Sequence, residues 1–170
     1  GRVLWHHRIA RQRAEELLRL GAEHFGMPLG IISRIEGEQY QVLVQVSPDD
    51  ALSDGQLFEL GDTYCSLALQ QNDVLAIAHM ADSPHRRHPC YRQFALESYI
   101  GTAVRVGGKP FGTLAFANPE RWQSFGLFLG EAYQVADDIR DVALATELLG
   151  KPAGQDIALC RPSCATEMGL

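Results

Sequence analysis

Two strand-like segments joined by a glycine pair constrain the fold of this chain more than any other feature. The segments SYIGTAVRV and KPFGTLAFAN flank Gly107 and Gly108. Glycine supplies the positive φ that the favoured two-residue hairpin turns require. The pattern therefore predicts an antiparallel hairpin over residues 98–118 and places an antiparallel sheet at the centre of the fold.

A second strand signal lies in QYQVLVQVS, residues 39–47, where apolar and polar residues alternate. Period two is typical of a strand with one buried face. Strict alternation predicts one common face for four residues: Tyr40, Val42, Val44 and Val46. Further strands are predicted over residues 29–35 and within 73–79. Short helices are predicted near Tyr64 and over about 89–96.

Longer helical patterns stand at both ends. Residues 5–25 and 124–149 repeat apolar residues at three-and-four spacing. Glycine and proline end each pattern. We therefore expect an α+β fold in which an antiparallel sheet carries the N-terminal and C-terminal helices on one face. Residues 1–149 would form the domain, and 150–170 would be an irregular tail.

Charge and composition exclude several classes of protein. Arginine and lysine number 15 against 21 acidic residues, so the net charge is −6, unlike the clustered basic surface of a nucleic-acid binder. No apolar run reaches the ~18–20 residues of a membrane span, and no secretory signal is visible. The four cysteines are irregularly spaced and do not indicate a disulfide framework. We expect a cytoplasmic protein without nucleic-acid or membrane partners.

Three segments together resemble the GAF sensory domains of bacterial histidine kinases and cyclic-di-nucleotide enzymes. They are LGDTYCSLALQQNDVLAIAH, HPCYRQFALESYIGTAV and GGKPFGTLAFAN, within about residues 14–125. The resemblance implies a sheet with terminal helices on one face and a small-molecule pocket on the other, bounded by the loops of residues 55–98. It implies a non-catalytic domain of a signalling or regulatory protein. We expect this domain to bind an unidentified effector and to transmit through its terminal helices. Lying side by side, these helices would form a bundle with a second chain in a homodimer.

Polar and aromatic residues of the GAF-like region are candidates for lining this pocket, although aromatic residues on strands also form ordinary core. The candidates are Asp62, Tyr64, Cys65, Tyr91, Ser98, Tyr99, Thr102, Phe111, Thr113 and Phe116. Cys65 is either a reactive thiol or chromophore attachment point, or a buried core cysteine. No residue is assigned a catalytic role.

One cluster has the chemistry of metal ligands. His79, His85, His88 and Cys90 carry the imidazole and thiol groups that suit zinc. The spacing within a loop does not force these side chains together. The alternative is a polar surface loop in which His88 caps a short helix.

The C-terminal segment resembles a different family. GEAYQVADDIRD, GKPAGQD and RPS, within residues 126–170, are similar to trans-polyprenyl diphosphate synthases, above all bacterial geranylgeranyl diphosphate synthases. Asp137, Asp138 and Asp141 match that family's second aspartate-rich motif, whose carboxylates would hold Mg²⁺ against a diphosphate. Lys151 matches a lysine that contacts diphosphate. No other cofactor is expected.

A working synthase of this family needs a first aspartate-rich motif on a facing helix and several further helices. Asp49 and Asp50 lie in a Ser-Pro-Asp-Asp loop after a strand, so they do not supply that motif. We expect no prenyl transfer by this chain alone. The join has three interpretations: a natural fusion or insertion, a fragment of a larger regulated enzyme, or a borrowed C-terminal helix of the GAF-like fold. The third, which we favour, sets the structural boundary near residue 149 rather than 125.

Overall fold

A computed structural model of the chain describes residues 2–121, with side chains from residue 8 onward. Its helices and strands, in chain order, are α1 (Arg2–Phe25), β1 (Leu29–Glu36), β2 (Gln39–Val46), β3 (Leu57–Glu59), α2 (Cys65–Gln70), β4 (Leu75–Ile77), α3 (Pro89–Phe94), β5 (Ser98–Val106) and β6 (Lys109–Asn118). The predicted helix over 124–149, the tail and the aspartate-rich residues lie outside the described residues. Among residues 2–121, no helix is long and apolar enough to span a bilayer.

The six strands within residues 2–121 form one sheet in the order β3-β2-β1-β6-β5-β4. Every neighbouring pair is antiparallel. Val106 pairs with Lys109 across the turn, where Gly107 and Gly108 have φ values of 56° and 79°. The predicted hairpin, antiparallel sheet and α+β class are therefore confirmed. The short edge strand β3 lies in a region for which we predicted a loop.

Helix α1 packs on one face of the sheet. We call the core between them the helix-side core; its buried residues are Ala14, Leu17, Leu18, Phe25, Met27, Ile32, Val44, Val46, Ile100, Val104, Leu114 and Phe116. The helix ends as predicted at Gly26, whose φ is 62°. The amide of Met27 donates to the carbonyl of Ala22 at 2.9 Å. This Schellman ending turns the chain directly into β1.

The prediction of one common face for the alternating residues of β2 is wrong because the strand contains a β-bulge. Ile32 pairs with Val44 but Ser33 pairs with Val42, so Leu43 is an extra residue. A bulge turns the strand so that the alternation changes phase. Val44 and Val46 therefore lie in the helix-side core, while Tyr40 and Val42 lie on the opposite face.

A second bulge lies in the hairpin, where Val104 pairs with Gly112 and Arg105 with Pro110. The extra residue is Phe111, which packs against the helix-side core. Strand β6 approaches β1 closely at this point. A Cβ on Gly112 would lie 1.7 Å from the carbonyl oxygen of Ser33, so only glycine fits.

The opposite face of the sheet carries a second core, here called the cavity-side core. Its buried residues are Tyr40, Val42, Tyr64, Cys65, Ala68, Ile77, Met80, Cys90, Tyr99, Ala115 and Ala117. They come from the strands, from α2 and α3, and from the connections between them. These connections leave part of the sheet face uncovered, which is where the candidate site lies.

Candidate functional site

A cavity of about 340 Å³ lies between the sheet and the segments that cover the cavity-side core. Its floor is formed by strand residues: Ile31, Tyr40, Tyr99, Ala115 and Ala117. Its walls come from the connection between β2 and β3 and from α2 and α3. The volume is at the lower end of the range of about 300–1,000 Å³ for small-molecule pockets.

A chain of neutral hydrogen bonds runs along the cavity floor. The hydroxyl of Tyr99 donates to Sγ of Cys65 at 3.6 Å, and Sγ of Cys65 donates to the hydroxyl of Tyr40 at 3.7 Å. Beneath Tyr40, the side-chain oxygens of Ser33 and Thr113 lie 2.7 Å apart. Burial raises the pKa of both tyrosines well above its usual value. The two tyrosine hydroxyls of the floor are therefore polar but uncharged at neutral pH.

The wall beside this chain is closed by Tyr64 and Cys90. The hydroxyl of Tyr64 donates to the carbonyl oxygen of Leu96 at 2.8 Å, and burial raises its pKa. Burial also raises the pKa of Cys90 to about 12. Both groups thus keep their protons at neutral pH, and neither is an activated nucleophile.

The structure brings only some of the ten predicted pocket residues to the cavity. Tyr64, Cys65 and Tyr99 line it. Thr113 lies on the same face but under Tyr40, bonded to Ser33. Phe116 borders the cavity, although its ring packs against Phe25 in the helix-side core, with ring centroids 5.3 Å apart.

The other candidates lie elsewhere in the fold. Thr102 pairs with Leu114 and shares the helix-side face with it, and the bulge sends Phe111 to that face too. Asp62 ends the turn before α2, and Tyr91 lines a separate cleft. The hydroxyl of Ser98 donates to the carbonyl of Glu120 at 2.9 Å. Strand alternation explains why Thr102 does not reach the cavity, and the bulge explains why Phe111 does not.

Several lining residues were not predicted. The clearest are Tyr40, Gln56, Phe58, Ala115 and Ala117. The bulge in β2 explains why Tyr40 was not predicted, since strict alternation groups Tyr40 with the core valines. The two alanines contribute by being small. The alternation of small and large residues in LAFA of β6 is the signal that could have found them.

The four candidate zinc ligands do not converge. His79 contacts the carboxylates of Asp82 and Glu97, the latter at 2.7 Å. His88 caps α3, and Cys90 is buried in the cavity-side core. Within the described part of the chain, no three or more His, Cys, Asp or Glu residues are placed to share a metal ion. The cap of His88 agrees with the alternative interpretation of this loop.

We expect His88 to make the stability of the domain depend on pH. Its Nδ1 accepts the amide of Cys90 at 3.2 Å, and burial lowers its pKa below the usual value. The unfolded chain therefore binds a proton at a higher pH than the folded chain does, so the free energy of unfolding falls as pH drops through about 6.5. The variant His88→Asn keeps a capping oxygen but has no imidazole to titrate. In urea titrations between pH 7.5 and 5, its free energy of unfolding should therefore decrease less than that of the unmodified protein. An equal decrease in the free energy of unfolding for the two proteins over this pH range would contradict the prediction.

We expect the two cavity thiols to resist alkylation in the folded protein. The rise in the pKa of Cys90 from 9.0 to about 12 lowers its thiolate fraction at pH 8 by about 1,000-fold. Cys65 is only 4% exposed. Timed labelling with iodoacetamide, followed by peptide mass spectrometry, should show slow reaction at both sites and rapid reaction in urea. Comparable rates at either cysteine with and without urea would refute this.

These observations define a class: a small α+β domain with a helix on one face of an antiparallel sheet and a cavity on the other. The family model for the GAF domain matches residues 10–129, which is more than two thirds of the chain. The chain belongs to the GAF domain family.

Solved structures of low sequence identity share this fold. The blue-light-absorbing form of the PixJ GAF domain from Thermosynechococcus elongatus has a TM-score of 0.59 at 16% identity, covering 89% of this chain and 92% of that one. A type II free methionine-R-sulfoxide reductase from Thermoplasma acidophilum has a TM-score of 0.57 at 18% identity, covering 84% and 96%. Such likeness shows the fold alone.

The second predicted resemblance is also confirmed. The family model for polyprenyl synthetase matches residues 98–169. Geranylgeranyl diphosphate synthases from Rhodobacter capsulatus and Cereibacter sphaeroides are 47% and 51% identical over 69 residues, or 40% of this chain. The chain spans only about a quarter (24%) of the length of each. The family match begins earlier than residue 126 and overlaps the hairpin, yet β5 and β6 belong to the GAF sheet.

Proposed function

We propose that this chain is a non-catalytic sensory domain of a bacterial signalling or regulatory protein, which binds a small molecule in the cavity and transmits through its terminal helices. The observation that carries the proposal is the cavity of about 340 Å³ over the sheet. Tyr64 and Tyr99, which line the cavity, donate their protons to protein acceptors, and burial raises the pKa of both hydroxyls. Such groups are suited to binding rather than to acid–base chemistry, which needs a pKa near the working pH.

A direct contact supports the transmission step. Arg11 of α1 forms an ion pair with Asp54, which lies in the connection between β2 and β3. The same connection lines the cavity through Ala51, Leu52 and Gln56. An exposed ion pair contributes only ~0–1 kcal/mol to stability, so its breakage costs little. Ligand entry that shifts the connection would break or remake this pair, which couples the cavity to α1 by at most ~1 kcal/mol.

Calorimetric and thermal-shift screening tests the binding step. The panel should include nucleotides, amino acids, tetrapyrroles and uncharged apolar molecules. Ala117→Trp fills the cavity and should abolish any stabilisation, while Arg13→Trp on the exposed face of α1 should leave it unchanged. The absence of stabilisation across the panel would count against the proposal. Light scattering on the full chain tests the proposed homodimer, which a monomeric mass would contradict.

A second candidate is a fragment of, or a regulatory fusion to, a geranylgeranyl diphosphate synthase of isoprenoid and carotenoid biosynthesis. The polyprenyl synthetase match over residues 98–169 favours it. Asp137, Asp138 and Asp141, which would hold Mg²⁺, lie outside the described residues. Incubation with allylic and homoallylic diphosphates and Mg²⁺ distinguishes the candidates. We expect no chain elongation, whereas elongation that Asp137→Asn abolishes would establish a prenyltransferase.

A further inference from the structure

We infer that the cavity selects an uncharged, predominantly apolar molecule and discriminates against charged molecules of the same skeleton. The inference rests on the proposed function, because it takes the cavity to be the ligand site. It goes further by naming the chemical class of the ligand. It follows in three steps from the charge, the committed hydrogen-bond donors and the apolar walls of the cavity.

The first step concerns charge. None of the described residues that line the cavity carries a charged side chain. A buried ionic group is tolerated in a protein only where an opposite charge and hydrogen bonds replace its water. A phosphate, a carboxylate or an ammonium group would find no opposite charge among the described lining residues.

The second step concerns hydrogen-bond donors, which an anion needs because it can only accept. Tyr99 donates its proton to Cys65, Cys65 to Tyr40, and Tyr64 to the carbonyl of Leu96. These lining groups are therefore committed within the protein. Their oxygen and sulfur lone pairs remain able to accept a hydrogen bond from a ligand.

Gln56 differs from Tyr64, Cys65 and Tyr99. Its Oε1 accepts the amide of Ser53 at 3.0 Å, so its amide NH₂ remains able to donate from the cavity wall. One neutral amide can bind a hydroxyl or carbonyl group of a ligand. It cannot replace the hydration of a diphosphate or a carboxylate.

The third step concerns the walls. Most of the lining is hydrocarbon or aromatic, including Leu29, Ile31, Leu52, Phe58, Phe94 and Leu96. Phe58 and Phe94 pack edge to face, with ring centroids 5.8 Å apart. Such walls favour an aliphatic or aromatic body, since burial removes its apolar surface from water. Together the three steps describe a neutral apolar ligand with few polar groups.

The test compares molecules that share a skeleton and differ in charge. Isothermal titration calorimetry on the full chain would use geraniol against geranyl diphosphate, and indole against indole-3-acetate and tryptamine. We expect the neutral member of each set to bind at least about tenfold more tightly, which corresponds to ~1.4 kcal/mol. Ala117→Trp should abolish this binding.

The outcomes separate the inference from the proposed function. A charged member that binds as tightly as its neutral counterpart, and that Ala117→Trp excludes, would overturn the inference but leave the ligand site in place. Binding that Ala117→Trp does not change would overturn both, provided that the variant is folded. If no member of either set binds but a charged molecule of the screening panel does, the inference fails and the proposed function stands. If nothing in the panel binds either, both fail.

A second variant keeps the inference falsifiable if Ala117→Trp does not fold. Gln56 is only half-buried, so Gln56→Arg can place a cation at the cavity wall, and Gln56→Met is its neutral control. Compared with Gln56→Met, the arginine variant should bind indole-3-acetate about tenfold more tightly, because it supplies the missing charge and donors. The affinity for indole should change much less. Equal affinities of both variants for indole-3-acetate would overturn the inference.

Discussion

Replacing Gly112 with alanine is expected to lower the free energy of unfolding by about 3 kcal/mol or more, at the upper end of overpacking effects. The new Cβ would lie 1.7 Å from the carbonyl oxygen of Ser33 and 2.7 Å from its carbonyl carbon. Neither atom belongs to a side chain that can rotate away. Ser33 pairs with Thr113 and Arg34 with Gly112, so relief requires β1 and β6 to separate where the sheet is central.

Gly61→Ala is the matched control for this substitution. No heavy atom lies within 4 Å of a Cβ at Gly61, and its φ is not in the positive region. We expect this substitution to raise the free energy of unfolding by no more than ~1 kcal/mol, because alanine restricts the conformations of the unfolded chain. Urea denaturation of both variants measures the difference. Equal losses would show that the close approach of the two strands is not what requires glycine.

Replacing Leu18 with alanine is expected to cost about 2–5 kcal/mol, the range for a fully buried leucine. Leu18 is 0% exposed and lies in the helix-side core. The loss combines apolar surface returned to water with a void that its neighbours fill only partly. Urea denaturation followed by circular dichroism would measure it as a lower midpoint.

Leu57→Ala provides the control within the same residue type. Leu57 lies on the edge strand β3 and is 53% exposed, so its truncation should change stability by no more than ~0.5 kcal/mol. A small effect at Leu18 would mean that α1 is not part of the folded domain. A large effect would show that α1 is fixed on the sheet, as the proposed transmission through α1 requires.

The parts of the fold that could be predicted are those with local causes. The hairpin follows from Gly107 and Gly108, which take the positive φ of a tight turn. The end of α1 follows from Gly26 and Pro28, since one adopts the left-handed conformation and the other cannot continue a helix. Such residues act through their own backbone and need no tertiary partner.

The faces of β2 and of the hairpin could not be predicted in the same way. The bulges at Leu43 and Phe111 have no residue signature in this sequence, because both residues suit a regular strand. A bulge is set by how two strands pair, which depends on residues far along the chain. The bulge in β2 places Tyr40 and Val42 opposite Val44 and Val46, and the bulge in the hairpin places Phe111 itself on the face away from the predicted pocket.

The candidate site was predictable only where chemistry and position coincide. Tyr64, Cys65 and Tyr99 carry functional groups and line the cavity. Ala115 and Ala117 matter because a larger side chain would occupy the space, and the alternation of small and large residues in LAFA is their only signal in the sequence. The predicted structural boundary near residue 149 stays a prediction, since it falls outside the described residues.

The bulge at Leu43 has a consequence for the genetics of this domain. In a regular strand, the effects of substitutions alternate from one residue to the next. Along β2 they should instead divide into two blocks: changes at Tyr40 and Val42 reach the cavity side, and changes at Val44 and Val46 reach the layer beneath α1. One eight-residue strand should thus offer two classes of allele. Substitutions before the bulge would alter the cavity side of the sheet, where the proposed ligand binds, and substitutions after it would weaken the attachment of α1.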